Sequence, residues 1–390
     1  MISVDVPGKL YIAGEYAVLE PGGAAVLVAV DRYLTVSVAV TPAFAGEEHD
    51  HRSGRREHHL PTAPVRTVTT SRIGNERVQL VRRGSELVAA VRDPDTAAAL
   101  RHVIAAVDLV ETYAVERGRA ALGFHLEVRS ELDEAATGRK FGLGSSGAVT
   151  VGVVRALTRA YEFDLDEDAL LRLALLAAFT VDPRCSGGDV AASMLGGWVA
   201  YRAPDRPRIA ERRARPGARL AELVDRPWPQ LSARRVPAPR ELLLEVGWSG
   251  TPATSSGLVE KLRAGVAGDA SAYGRFVSGS NACVATLVAA LESGDDASVV
   301  TSVATAGALL RAVSGLAGVV VETAALAALR SVAEALGAVA KTSGAGGGDC
   351  GIALVAPADA PGLRHRWRAV GITPLELQVH QPFSLKGQCQ

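Results

Sequence analysis

Two apolar patterns divide the chain. In RYLTVSVAV, Leu34, Val36, Val38 and Val40 alternate with Thr35, Ser37 and Ala39, the period of two of a half-buried strand, so the first 40 residues are expected to be strand. GFHLEV (123–128), LLLEVGW (242–248), GIALVA (351–356) and ITPLELQV (372–379) read as further strands, and Gly74-Asn75 as a hairpin turn. A helical stretch is expected near 97–117. From Ser146 the period changes: Val149, Val153 and Leu157 fall on one helical face, while Gly147, Ala148 and Gly152 allow close packing. Helices are expected over about 255–336, and one more between the last two strands. The second half thereby reads as α+β packing.

Two stretches carry no periodicity. GEEHDHRSGRREHHLPTAP (46–64) is charged and reads as a surface loop; it holds His49, His51, His58 and His59 without a metal-ligand spacing. Residues 203–240 are rich in arginine and proline, but Glu211, Glu222 and Asp225 interleave with the arginines. An exposed connector fits better than a nucleic-acid arm. The domain junction is expected there, separating residues 1–205 from 206–390.

Composition narrows the picture. A chain of 390 residues exceeds the roughly 250–300 at which single cores stop growing, so two domains in close contact are expected. Lysine plus arginine equals aspartate plus glutamate at 42 each, which argues against general affinity for nucleic acid or an anionic membrane. Cys185, Cys283, Cys350 and Cys389 are widely spaced, with no CxxC pair; this fits a reducing cytosol. The opening MISVDVPGKLYIAG has no basic segment before an apolar core, and no run of about 18 apolar residues was found. A cytoplasmic protein, monomer or homodimer, with a small-molecule partner is expected.

The chemistry is carried by glycine. FGLGSSGAV (141–149) places Gly142, Gly144 and Gly147 around Ser145 and Ser146 just before a helix. Backbone without Cβ lets N–H groups converge on an anion, and the positive end of the following helix adds to the attraction. A tight turn would explain one glycine; phosphate explains the set, with the serine hydroxyls available to phosphate or magnesium. No GxxxxGK[ST] P-loop is present. KTSGAGGGDCGIAL (341–354) runs through a second glycine cluster into an apolar strand. It is either a flexible turn or a second close approach to a ligand held between domains.

Of only five lysines, Lys9, Lys140 and Lys341 adjoin glycine motifs, while Lys261 and Lys386 do not. A compact cation on a flexible stem suits a moving phosphoryl group. In CSGGDVAAS (185–193), Asp189 is either a helix cap or a group that orients an acceptor.

PGKLYIAGEYAVL (7–19), GLGSSGAVTVG (142–152) and TSGAGGGDCGIAL (342–354) resemble, in order, the three motifs of the GHMP kinase family. Within it the chain is most similar to the phosphomevalonate kinases, through Tyr16 in GEYAVL, the lysine of KFGLGSSG, CSGGDVAAS, GWSGTPATSS (247–256) and Asp349. The resemblance implies a two-domain α+β fold: an N-terminal domain like ribosomal protein S5 domain 2 and a ferredoxin-like C-terminal domain with added helices. It implies ATP and Mg2+ in the cleft and 5-phosphomevalonate as acceptor. It places Lys9 and Asp189 at the reacting phosphoryl group. Gly142, Leu143, Gly144, Ser145, Ser146 and Gly147 would lie at the ATP phosphates, with Lys140 near either phosphate. Ser146, or Ser145 beside it, would be a magnesium or phosphate ligand. Tyr16, Ser255, Ser256, Lys341, Ser343, Gly344 and Ala345 would lie on the acceptor side. Relatives often carry alanine where this chain has Gly147.

Overall fold

The structure, a computed structural model, describes residues 1–41, 64–134, 139–253 and 255–381. The four histidines of the charged loop, Lys386, Cys389 and the side chains of Ser255 and Ser256 lie outside the described residues.

The first half is a large sheet with helices against it. β1 (Ile2–Ala13) pairs antiparallel with the long β2 (Ala24–Thr41). β3 (Arg66–Thr70), β4 (Val78–Arg83) and β5 (Glu86–Ala89) follow, then α1 (Pro94–Glu116) and β6 (Gly123–Ser130). β4 folds back on β3 through the expected turn, where Gly74 and Asn75 both take left-handed φ (68° and 61°). After β6 come α2 (Ser145–Ala160), α3 (Glu167–Val181), α4 (Gly188–Leu195) and β7 (Trp198–Arg202). β2 is the organising strand: residues 34–41 pair with β6 and residues 24–28 with β7. Its alternation holds for Leu34, Val36 and Val38, which are buried, and fails for Val40, which is 45% exposed at the strand's end.

The arginine- and proline-rich stretch is more than a connector. It forms α5 (Arg206–Arg213), α6 (Leu220–Asp225) and β8 (Ser232–Val236). β8 joins the large sheet beside β7, so that sheet extends past residue 205 to Val236. Arginine obscured the assignment because most of the stretch faces water, while Leu220, Leu223 and Val224 turn inward.

The second half starts with β9 (Leu243–Trp248). The helices α7 (Ser255–Val266), α8 (Ala270–Ser293), α9 (Asp296–Ala317) and α10 (Ala324–Glu334) come next, then β10 (Val339–Thr342), β11 (Cys350–Val355), α11 (Ala360–Ala369) and β12 (Thr373–Leu375). The four strands form one antiparallel sheet in the order β10-β11-β9-β12. By length and mean hydropathy (1.2 and 1.5) α8 and α9 could cross a membrane. Within the fold α8 packs on α9 and β2, and α9 on α8 and β10. ITPLELQV does not form one strand. After Leu375 the chain turns and pairs with the first half: the N–H of Asp31 donates to Gln378 O and that of His380 to Ala29 O, each at 2.9 Å. Both halves are thus joined by backbone pairing to β2.

Candidate active site

Lys9 stands in the buried stretch of β1 and is 8% exposed. Its backbone N–H donates to Leu143 O at 2.8 Å, which fastens the glycine loop to β1, and its Nζ donates to Gly142 O at 3.3 Å. Gly142 and Gly144 take left-handed φ (84° and 81°), a conformation that favours glycine. Space is as important as φ. A Cβ at Gly144 would stand 2.6 Å from Lys9 Cε, one at Gly147 2.8 Å from Asp189 Oδ2, and one at Gly142 2.5 Å from Asp349 Cγ. Each glycine of the loop therefore makes room for one charged side chain from a distant segment. Those segments are β1, α4 and the turn before β11.

Asp189 lies in the first turn of α4, whose N-cap is Gly187. Gly187, not Asp189, thus takes the N-cap position. Asp189 Oδ1 accepts from the N–H of Val190 at 3.0 Å, while Oδ2 faces Gly147. The segment before it is braced: the Tyr11 hydroxyl and Ser186 Oγ lie 2.9 Å apart, and the Tyr201 hydroxyl donates to Ser186 O at 2.7 Å. Burial, with Asp189 beside it, pushes the Tyr11 phenol well above its ordinary pKa, so it stays protonated.

The two serines differ. Ser145 Oγ accepts from Arg72 Nη2 at 2.8 Å, and Arg72 also pairs with Asp133 at 3.3 Å. Ser146 Oγ meets no protein partner among the described residues. It is therefore the better placed of the two for a magnesium ion, which needs only one or two protein oxygens besides phosphates and water. No group of three or more His, Cys, Asp or Glu side chains suited to a metal occurs among the described residues. A dedicated protein cage is thereby absent there, while Ser146 and Asp189 on either side of the Gly147 step fit a phosphate-held ion. Lys140 keeps much of its surface in water at the loop's entrance, yet the protein crowding its ammonium, with Arg72 close by, lowers its pKa.

The residues expected on the acceptor side separate into two groups. Lys341 is fully buried and ion-paired with Glu15, itself 4% exposed. Ser343 Oγ donates to Tyr11 O (3.0 Å) and accepts from the N–H of Tyr11 (2.9 Å). The Tyr16 hydroxyl donates to Ala345 O, from a residue held at φ 62°. These side chains join the third motif to the first, and their polar atoms are committed to protein. Gly344 keeps open space at its Cα, and its N–H reaches Glu15 at 3.4 Å. α7 begins at Ser255, directly beyond the 249–253 loop.

Sequence reasoning did not place Arg72, Glu15 or Asp349 in the site. Arg72 carries no local signal, whereas Glu15 and Asp349 stand inside the quoted motifs. By its letters GLGSSG also fits the dinucleotide pattern G-x-G-x-x-G; the surrounding sheet, antiparallel about β2, is not the parallel doubly wound sheet that pattern requires. A cavity of about 410 Å3 lined by Tyr113, Phe163, Arg172 and Asp225 contains none of the glycine-loop residues, so charge and glycine placement rather than concavity mark this site.

Comparison with known proteins agrees with the motifs. The family model for the GHMP kinases N terminal domain matches residues 101–197, and that for the GHMP kinases C terminal matches residues 287–373. A phosphomevalonate kinase of Streptomyces sp. (strain CL190) is 43% identical over 378 residues, 95% of each chain. The Lin0012 protein from Listeria innocua superposes with a TM-score of 0.85 at 29% identity over 99% of both chains. Streptococcus pneumoniae phosphomevalonate kinase in complex with phosphomevalonate and AMPPNP superposes with a TM-score of 0.79 at 29% identity, covering 97% of this chain and 100% of that one.

Proposed function

This chain belongs to the GHMP kinase family, and from that premise we propose that its glycine-lined cleft transfers the γ-phosphoryl group of ATP to the phosphate of 5-phosphomevalonate, in the mevalonate route to isoprenoids. An oxygen of the acceptor phosphate attacks the γ-phosphorus, the bond to the β–γ bridging oxygen breaks, and 5-diphosphomevalonate and ADP leave. The observation that carries this reading is the convergence of Lys9, Asp189 and Asp349 on the three glycines of one loop at a helix N-terminus. The 43% identity over nearly the whole chain supports the acceptor.

Phosphoryl transfer depends on positioning and charge neutralisation more than on covalent chemistry. The acceptor's second pKa lies near about 6, so at neutral pH it arrives ionised and little proton removal is needed. Lys9, within reach of Gly142 O, offsets charge where two anions meet. Asp189 orients that region from the opposite side of the loop. A bound Mg2+ would neutralise the β- and γ-phosphate oxygens, with Ser146 and Asp189 as the residues to hold it. Ser145 is fixed by Arg72 and shapes the loop.

The test is coupled ADP release with phosphomevalonate, mevalonate and galactose offered separately. Turnover is expected with phosphomevalonate and magnesium, and little with mevalonate, because a site built for a dianion loses heavily without it. Comparable kcat/KM on mevalonate would sink the assignment.

A further inference from the structure

Asp349 is the charged member of the glycine-loop trio to which neither transfer nor nucleotide binding gives a task. It stands at φ 55°, in the left-handed region, directly after three glycines. Glycine would occupy that conformation without strain, so a side chain retained there points to a use for its acceptor oxygen.

Its contacts run in two directions. Toward the second half, Oδ1 accepts from the N–H of Ala253 at 2.9 Å, its N–H donates to Thr251 O at 2.8 Å, and its carbonyl accepts from the N–H of Ser249 at 2.9 Å. Toward the first half, the carboxylate lies against Gly142, where a Cβ would stand 2.6 Å from Oδ2. Gly142 is the residue whose carbonyl receives Lys9. One side chain thereby bonds the 249–253 loop and packs against the phosphate loop. Burial raises the carboxyl's pKa while Lys9 and Lys140 oppose the rise, so its surroundings combine poor solvation with two cations.

We propose that Asp349 is a positioning residue for the acceptor: it latches the 249–253 loop to Gly142 and so sets the place of the acceptor relative to Lys9. The claim rests on the kinase reading above, but it concerns the latch rather than the identity of the acceptor. Asp349→Gly relaxes the φ and removes the latch. Asp349→Asn keeps an oxygen for the Ala253 amide. The three proteins are compared by separate titrations of ATP and phosphomevalonate, by thermal unfolding, and by hydrogen exchange of the 249–258 segment.

In Asp349→Gly the KM for phosphomevalonate is expected to rise about tenfold or more with the KM for ATP within about twofold, the signature of lost acceptor binding alone. The melting temperature should not fall, and exchange at 249–258 should quicken. Asp349→Asn should remain near wild type in all of these. Parallel rises in both KM values with a lower melting temperature would show a merely structural residue and overturn the proposal. So would an unchanged acceptor KM in Asp349→Gly, or an Asp349→Asn protein as impaired as Asp349→Gly. If wild type uses a different acceptor, the proposed reaction fails while the same KM contrast on that acceptor still judges the latch. If it uses none, quickened exchange at 249–258 confined to Asp349→Gly supports the latch, and unchanged exchange refutes it.

Discussion

The two glycine-rich segments have similar composition and opposite uses. In the loop at 142–147, a Cβ would collide with the side chains of Asp349, Lys9 and Asp189. In the cluster at 344–348, a Cβ on Gly346 would stand 2.3 Å from Val321 O, one on Gly348 2.4 Å from Thr251 O, and one on Gly347 2.7 Å from Leu258 Cδ1. The first set of glycines makes room for charge at an open cleft. In the second, Gly346 and Gly348 let backbone pass backbone, and Gly347 makes room for an apolar side chain. The lysines beside them differ in the same way: Lys9 Nζ donates to the Gly142 carbonyl and stands 5.5 Å from the centre of the Tyr11 ring, whereas Lys341 is sealed against Glu15. Glycine content alone therefore does not mark a ligand site; the neighbours that fill the missing Cβ do.

The strongest way to break this contrast is to substitute the sealed lysine. Lys341→Met leaves Glu15 as an unpaired buried charge and should cost about 3–5 kcal/mol of stability, read from the urea midpoint. An unchanged midpoint would place Lys341 with the functional cations instead. Lys9→Met should do the reverse, lowering kcat about 10²- to 10³-fold with unfolding little altered, by analogy with loss of one preorganised electrostatic donor. Asp189→Asn belongs to the same experiment: it should keep measurable activity with weak pH dependence above about 7, because the acceptor has already lost its proton. A single basic group that vanishes in Asp189→Asn, beside an unaffected Lys9→Met, would make Asp189 an obligatory base.

A third test uses the cations gathered near the first loop. Burial, then Arg101 and Arg72, lower the His102 pKa from 6.5 to about 4, and its Nδ1 has no hydrogen-bond partner among the described residues. Between these values the unfolded chain binds more protons than the folded one. Stability should accordingly fall as pH drops from about 6.5 to 4, by at most about 3 kcal/mol, and level off below. His102→Gln should flatten that slope; an equal slope in both proteins would refute the assignment. The smallest effect expected is that of Gly147→Ala. Its Cβ presses on Asp189, so kcat should fall about tenfold, or about 1.4 kcal/mol, with a smaller change in stability.

Much of this was legible in the chain itself. The period-two run of β2, the period change at Ser146 and the glycine-opened helix follow from local stereochemistry, which a short window of residues carries. Lys9, Asp189 and the loop at 142–147, which the fold brings side by side, could be picked out because each stands in a contiguous motif. The elements of residues 206–236 were harder to see, since α6 and β8 bury a few apolar residues among many exposed arginines. The continuous strand expected over 372–379 failed because its second part pairs with a distant element, Ala29 to Asp31 of β2.

The sequence by itself determined the period-two run of β2, the helix that opens at the glycine loop, the order of the three motifs and the chemical types needed at a phosphate site, because these depend on neighbours within a turn or two of chain. Only the tertiary structure decided which lysine faces the cleft and which is locked to Glu15, which serine is held by Arg72 and which stays free, and that Asp349 spans the two halves. Each of those outcomes depends on partners from about 70 to more than 300 residues away, and burial and pairing at such separations are set by how whole layers pack rather than by local sequence.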